Sequence, residues 1–310
     1  MEYEANPVPG SRRFSPGGVL LSNADFGRIS AFVHYNLGAG GGPSGLFLGY
    51  LATYNQHTQT LYRAGLFELP LAQSPGQRLD DLAPHGYYGA HVGLNDLSLS
   101  SPRWGVQIER TVGVIRFDFI SDLGEFKGAA YGGKPISTGE TTSAAAPEYG
   151  FFVRAPLIGN TLFNNPSGKG TEADIGAAGL TGTRSIVPTG RPAFDDAYSR
   201  YGLLAHVQFS KLDMQSEQWW GSDSNIDGFG TLQGSSGGYV RFKYYPTPHM
   251  YLGVRYDATA NPLVTRDIVY YAAFHVTQHA RLLVQQVQTI GGEGALGAAI
   301  TIGVPWPKGL

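Results

Sequence analysis

Apolar and polar residues alternate with a period of two along most of the chain. In 239–245, Val240, Phe242 and Tyr244 share one face while Arg241, Lys243 and Tyr245 share the other. In 251–257, Leu252, Val254 and Tyr256 oppose Gly253, Arg255 and Asp257. The same division separates Ile115, Phe117 and Phe119 from Arg116 and Asp118, and Leu203, Ala205, Val207 and Phe209 from His206 and Gln208. Ile29, Ala31, Val33 and Tyr35 likewise oppose Arg28, Ser30 and His34. Successive strand side chains point to opposite sides of a sheet, so this pattern predicts strands. Helical spacing is nearly absent, because Gly or Pro interrupts almost every long window.

Five such stretches between 238 and 304 are joined by tight turns such as 246–248 and 277–279, an antiparallel meander. Earlier strands are expected near 26–36, 44–55, 59–69, 86–95, 102–110, 113–121, 124–131, 148–156 and 200–213. The total is about fourteen, within a range of twelve to sixteen. Long polar connections are expected near 70–85, 132–147, 157–199 and 214–235. Long and short connections fall on opposite ends when counted by strand parity, as in a membrane barrel. The stretch 157–199 breaks that rule unless it hides a further strand pair, for instance within 173–182, or folds into the lumen.

Alternation alone fits two architectures. A soluble sheet turns its apolar face inward, whereas a membrane barrel turns it to lipid and lines its lumen with the ionic face. The strands approach the roughly 9–11 residues that cross a bilayer. Tyrosines recur near strand ends, at Tyr35, Tyr50, Tyr54, Tyr87, Tyr88, Tyr201, Tyr239, Tyr244, Tyr245 and Tyr251, where an interfacial aromatic girdle sits. These features predict an all-β, transmembrane, antiparallel up-and-down β-barrel. Residues 1–25 are read as an N-terminal periplasmic segment, 26–304 as the barrel and 305–310 as a tail, with both termini periplasmic.

Composition narrows the field further. The 310 residues include 44 Gly, 19 Pro and no Cys, with 15% charged and 12% aromatic. Coiled coil, collagen, disulfide scaffolds, zinc fingers and thiol chemistry are excluded. The net charge of −2 provides no basic field for nucleic acid. The mean hydropathy is −0.14, and no run of about 18 apolar residues exists to make a transmembrane helix. The first residues lack a basic region followed by an apolar core. An outer-membrane destination therefore implies that a signal peptide has been removed.

The alternation resembles that of bacterial outer-membrane porin-like barrels. Residues 237–246, 252–257 and 276–282 also resemble barrels that accompany, or are fused to, c-type haem domains in environmental bacteria. That second likeness implies a separate haem protein as partner, because a chain without Cys holds no haem covalently. Barrels of this kind commonly end in an aromatic residue read during assembly. Here the chain runs past Trp306 to Leu310, so either Trp306 takes that part or assembly uses another signal.

The candidate chemistry lies on the polar faces. Arg28, His34, Arg116, Asp118, Arg154, His206, Arg241, Lys243, Arg255, Asp257, Asp267, His275 and Arg281 are the candidate pore-lining residues. Their cationic majority suggests some anion preference. The competing reading is a filled lumen in which Arg and Asp pair across strands. Asp223, Asn225 and Asp227, followed by Gly228, match the first half of a calcium loop. The twelfth position is Gly234 instead of Glu, and an Asx-turn loop competes. His34, His91, His206 and His275 fall on polar faces, as metal or haem ligands or as isolated lumen residues. No nucleophile elbow, phosphate loop or dinucleotide fingerprint occurs, and no acid–base cluster has convincing spacing for an enzyme. The function expected is a passive outer-membrane channel for small polar solutes or ions. A barrel sheathing an electron-transfer conduit and docking a haem protein is the alternative, and a loop-based adhesin or barrel enzyme is a third. Outer-membrane lipid is the expected partner, with a haem protein or a second copy of the chain as candidates.

Overall fold

The computed structural model describes residues 2–4, 15–39, 45–70, 87, 92–95, 97–99, 101–125, 141–159, 171–261, 263–277, 280–292 and 294–302. Most of the strand expected at 124–131, much of the loops at 70–85 and 132–147, and the tail at 305–310 lie outside these residues.

Among the described residues, seventeen strand segments form one antiparallel sheet. In order they are β1 (Glu2–Glu4), β2 (Ser15–Phe26), β3 (Ile29–Ala39), β4 (Gly45–Asn55), β5 (Thr60–Phe67), β6 (Arg103–Val112), β7 (Ile115–Glu125), β8 (Thr141–Ala144) and β9 (Glu148–Ile158). These are followed by β10 (Thr171–Val187), β11 (Phe194–Phe209), β12 (Leu212–Asp223), β13 (Gln233–Thr247), β14 (Met250–Asn261), β15 (Leu263–Thr277), β16 (Ala280–Thr289) and β17 (Gly294–Ile302). β8 and β9 both pair with β10, one beyond the other, so they act as a single stave. β1 pairs with β17 through Glu2 and Thr301 and with β2 through Glu2 and Gly17, so it joins the two ends of the sheet. The result is an up-and-down transmembrane barrel whose stave count falls within the expected range.

The pattern of exposure fixes the orientation of the sheet. Leu203 is 57% exposed, whereas its neighbour Leu204 is 4% exposed. Phe242, Leu252, Tyr256 and Phe119 face outward, while Arg241, Lys243, Arg255, Asp257 and Asp118 are buried. A water-soluble protein does not bury its charges and expose its large apolar side chains. Only hydrocarbon outside and a polar interior satisfy both faces.

Connections at one end are short: 27–28, 56–59, 113–114, 210–211 and 248–249. Gly27 and Gly113 take the left-handed positions in two of these turns, at φ of 72° and 63°. The other end carries 68–102, 126–140, 188–193 and 224–232. The connection at 159–170 is the exception on the short-turn side. β17 runs toward the short-turn end and β1 runs away from it, so the first and last strands meet there.

Several boundaries differ from the sequence reading. The expected loop 157–199 contains β10 and the start of β11, and the expected loop 214–235 is mostly β12 and the start of β13. Small residues such as Gly176, Ala177, Ala178 and Gly179 weaken the alternation in β10 although its backbone pairs on both sides. Residues 15–25, assigned to a periplasmic segment, belong to β2. The described residues of the stretch 86–95 belong to none of the strands. They lie in the connection between β5 and β6, where Tyr87, Val92 and Asn95 are buried.

Candidate functional site

The interior is organised by ion pairs and by the β5–β6 connection, part of which folds inward. At the long-loop end, Glu148 of β9 pairs with Arg184 of β10 at 2.8 Å and with Arg103 of β6 at 3.5 Å. Arg103 also lies 3.7 Å from Asp122 of β7. None of these four side chains is exposed. Four neighbouring staves are thus tied by charge on their inner face.

The inward segment is fastened to the opposite wall. The Asn95 side-chain amide donates to Asp196 of β11 at 2.8 Å and to Asp223 of β12 at 3.1 Å. Asp223 is also held by Arg200 at 2.9 Å. The Leu94 amide donates to the Ile226 carbonyl at 3.0 Å. Tyr87 stacks on Trp219 at 6.4 Å and its hydroxyl lies 3.1 Å from Ser235. Burial pushes the Tyr87 hydroxyl above its ordinary range, so it stays a neutral partner. Phe67, Leu69, Leu97 and Leu99 join Phe152, Leu180, Leu204 and Trp219 in an apolar cluster between segment and wall.

The wall of β10–β12 is acidic and that of β13–β16 basic. His206 stands between Asp174 and Asp213, one carboxylate 3.2 Å from each ring nitrogen. Arg241 and Arg255 are directly opposite one another on β13 and β14. Asp257 pairs with Arg255 at 2.8 Å, and Gln215 accepts from Arg241. Lys243 sits 5.3 Å over the Tyr251 ring, and Arg281 donates to the Tyr251 hydroxyl at 3.3 Å. Opposed cations of this kind are unfavourable until an anion or a polar partner offsets them.

The third sector, β3–β7, is partly accessible from the lumen. Arg116 pairs with Glu109 at 2.7 Å and with Asp118 at 3.2 Å, and its side chain is 25% exposed. Gln107 donates to Asp118 at 2.7 Å and accepts from Arg63 at 2.6 Å. Arg63 lies 4.7 Å over the Tyr50 ring, which stacks on Phe32 at 5.1 Å.

Of the thirteen candidate pore-lining residues, Arg116, Asp118, Arg154, His206, Arg241, Lys243, Arg255, Asp257 and Arg281 are turned into the lumen, all but Arg116 buried. Asp267 is half-buried and accepts from Thr289 at 2.7 Å. His275 follows the inward row but ends exposed at the short-turn edge. Arg28 is corrected: it is exposed in the turn after β2, because that strand ends at Phe26. The side chain of His34 lies outside the described residues.

The three residues of the calcium reading each have other partners. Asp223 is buried against Arg200 and Asn95. The Asn225 side-chain Oδ1 accepts from the Gly230 amide at 2.7 Å, and the Asp227 carboxylate accepts from the Phe229 amide and the Thr231 hydroxyl. A buried carboxylate already neutralised by a guanidinium and two loop-closing Asx side chains do not form one ligand set. Among the described residues no cluster of three acidic or histidine side chains is arranged to hold a metal. The girdle is corrected at several positions: Tyr87, Tyr239 and Tyr251 are buried inside, and Tyr50 and Tyr54 lie on the inward row of β4, whereas Tyr35, Tyr201 and Tyr244 face outward.

Arg63, Arg103, Glu148, Asp174, Arg184, Arg200 and Asp213 were not singled out from the sequence. Asp174 and Arg184 fell within a stretch read as a loop, whereas Arg200 and Asp213 stood at the two ends of the strand read at 200–213. Asn95 carried no local signal.

No known family model matches the chain, and no curated protein matches it. Its fold is that of a bacterial outer-membrane porin-like β-barrel. Solved structures similar to it include an anion-selective porin from Comamonas acidovorans, at a TM-score of 0.60 and 11% identity, covering 97% of this chain and 95% of that one. Loop-L8-deleted OmpT, an outer membrane protein of Vibrio cholerae, gives 0.60 at 9% identity over 97% and 96%. Salmonella typhi OmpF in complex with daunomycin gives 0.60 at 8% identity over 97% and 94%.

Proposed function

We propose that the protein is a passive, non-enzymatic channel of the bacterial outer membrane that admits small polar solutes or ions along the β3–β7 wall. The observation that carries this reading is the inverted barrel with one ionic sector left half-exposed. The inward segment is fastened to β11–β13 and packs near Tyr50, yet the Arg116 side chain stays 25% exposed, so the segment narrows the lumen without sealing that wall. A lumen lined by alternating charges holds water and orients passing ions.

The test is conductance of the refolded chain in a planar bilayer. Stepwise current in potassium chloride, with a reversal potential under a salt gradient that reports ion preference, supports the channel. A barrel that inserts and passes no current at any voltage overturns it.

A further inference from the structure

On the inner wall, one side chain from each of five successive strands forms a continuous row: Phe32, Tyr50, Arg63, Gln107 and Asp118. Phe32 and Tyr50 are directly opposed on β3 and β4, and their rings lie 25° from parallel. Gly65 is opposite Tyr50 on β5. A Cβ there would meet the Tyr50 backbone at 2.7 Å, so the glycine allows this close approach. Arg63, on the inward row of β5, covers Tyr50 and donates to Gln107.

The charge balance of this row is unusual for the barrel. Arg116, Arg184, Arg200 and Arg255 each have a carboxylate partner. None of the described ion pairs includes Arg63. Its partners are the Tyr50 ring and the neutral amide of Gln107, and its Nε makes no hydrogen bond among the described residues. Phe32, Tyr50 and Arg63 are all half-buried, so the row remains partly open to the lumen. The Glu109 carboxylate, which Arg63 feels at a distance, is taken up by Arg116 at 2.7 Å, and a guanidinium with no carboxylate in contact favours one. A planar cation already stacked on an aromatic ring favours another flat π-system beside it.

We propose that the Phe32–Tyr50–Arg63 row is a binding station for planar organic anions, namely aromatic carboxylates of about benzoate size. The carboxylate is held by Arg63, and the flat ring adds to the aromatic stack. This inference rests on the channel reading and names a solute class for it. A wall that supplied charge alone would treat all monocarboxylates of one size alike.

The experiment compares benzoate with cyclohexanecarboxylate, which has the same charge and a puckered ring, as blockers of potassium chloride current through the full chain. Benzoate is expected to block at a concentration roughly three-fold or more lower. Tyr50→Leu is expected to erase that preference while chloride current persists. Arg63→Gln is expected to weaken block by both, and Arg63→Lys to restore block without the preference. Heat-modifiable migration on gels verifies that each variant is folded. Equal block by the two acids in the native chain, or a preference that survives Tyr50→Leu, overturns the station. If the native chain passes no current, the channel reading fails. Saturation-transfer NMR of benzoate on the detergent-solubilised barrel then decides the station separately: a signal lost in Tyr50→Leu supports it, and no signal or an unchanged one overturns it.

Discussion

The side-chain amide of Asn95 reaches Asp196 at 2.8 Å across 101 positions of sequence, and so pins the inward segment to a wall it does not adjoin in the sheet. The same amide group reaches Asp223 on the next strand, which makes Asn95 the polar centre of the attachment. The apolar cluster around Trp219 supplies the remainder.

Replacing Asn95 with Leu leaves two buried carboxylates short of donors, at a local loss of about 1–3 kcal/mol. The barrel is expected to fold, because its ladder is untouched. Single-channel records are expected to show more frequent brief closures as the segment loosens. Traces indistinguishable from native would mean that the apolar cluster alone holds it.

Glu148→Gln removes the single carboxylate that faces both Arg103 and Arg184. Breaking a fully buried pair typically costs ~3–5 kcal/mol. The temperature at which the folded gel band converts to the unfolded band is expected to fall markedly. Arg116→Gln is the control. Its half-open pair is worth about 1 kcal/mol or less, and its transition is expected to stay close to native.

Leu203 and Leu204 are adjacent and face opposite media. Leu203→Arg sets a charge in the lipid band at about 2–4 kcal/mol, and is expected to lower membrane stability without changing the reversal potential. Leu204→Arg sets the charge on the lumen side, within the apolar cluster that holds the inward segment, and is expected to loosen that segment and change current amplitude or ion preference. A reversal potential that moves with Leu203→Arg and not with Leu204→Arg would contradict the orientation.

The loop 224–232 has an acid-sensitive closure. The Thr231 hydroxyl and the Phe229 amide, both donating to Asp227, hold its carboxyl below the usual carboxylate range. A depressed folded-state pKa gives stabilisation that is present above the ordinary carboxylate range and lost as pH falls through the lowered value. Hydrogen-exchange protection of the Phe229 and Thr231 amides is expected to persist at neutral pH and to drop only in strong acid. Calcium is expected to leave that protection unchanged. A calcium-dependent rise would support the metal reading.

The strands, their inward charges and most turns were legible in the sequence, because a residue's face within a strand is set by its immediate neighbours. Val240, Arg241, Phe242 and Lys243 announce their two faces without any knowledge of the fold. Strands β10 and β12 were harder to recognise. In β10, Gly and Ala at 176–179 remove the apolar side chains that mark an outer face. In β12, Trp219 and Trp220 blur the alternation, since the first turns inward onto Tyr87 and the second stacks outward on Tyr201. The binding row was not legible at all, because Phe32, Tyr50 and Arg63 meet only once their strands are in register.

The amino-acid order by itself determined a two-faced ribbon, greasy on one side and ionic on the other, with turns that fold it back on itself. Local backbone geometry is sufficient for that, since it repeats every two residues. Only the tertiary structure decided that the ionic side closes around an interior, that a segment between β5 and β6 enters it, and which charges neutralise one another there. Those outcomes depend on groups such as Asn95 and Asp223, 128 positions apart, whose attraction exists only after the sheet has curved shut.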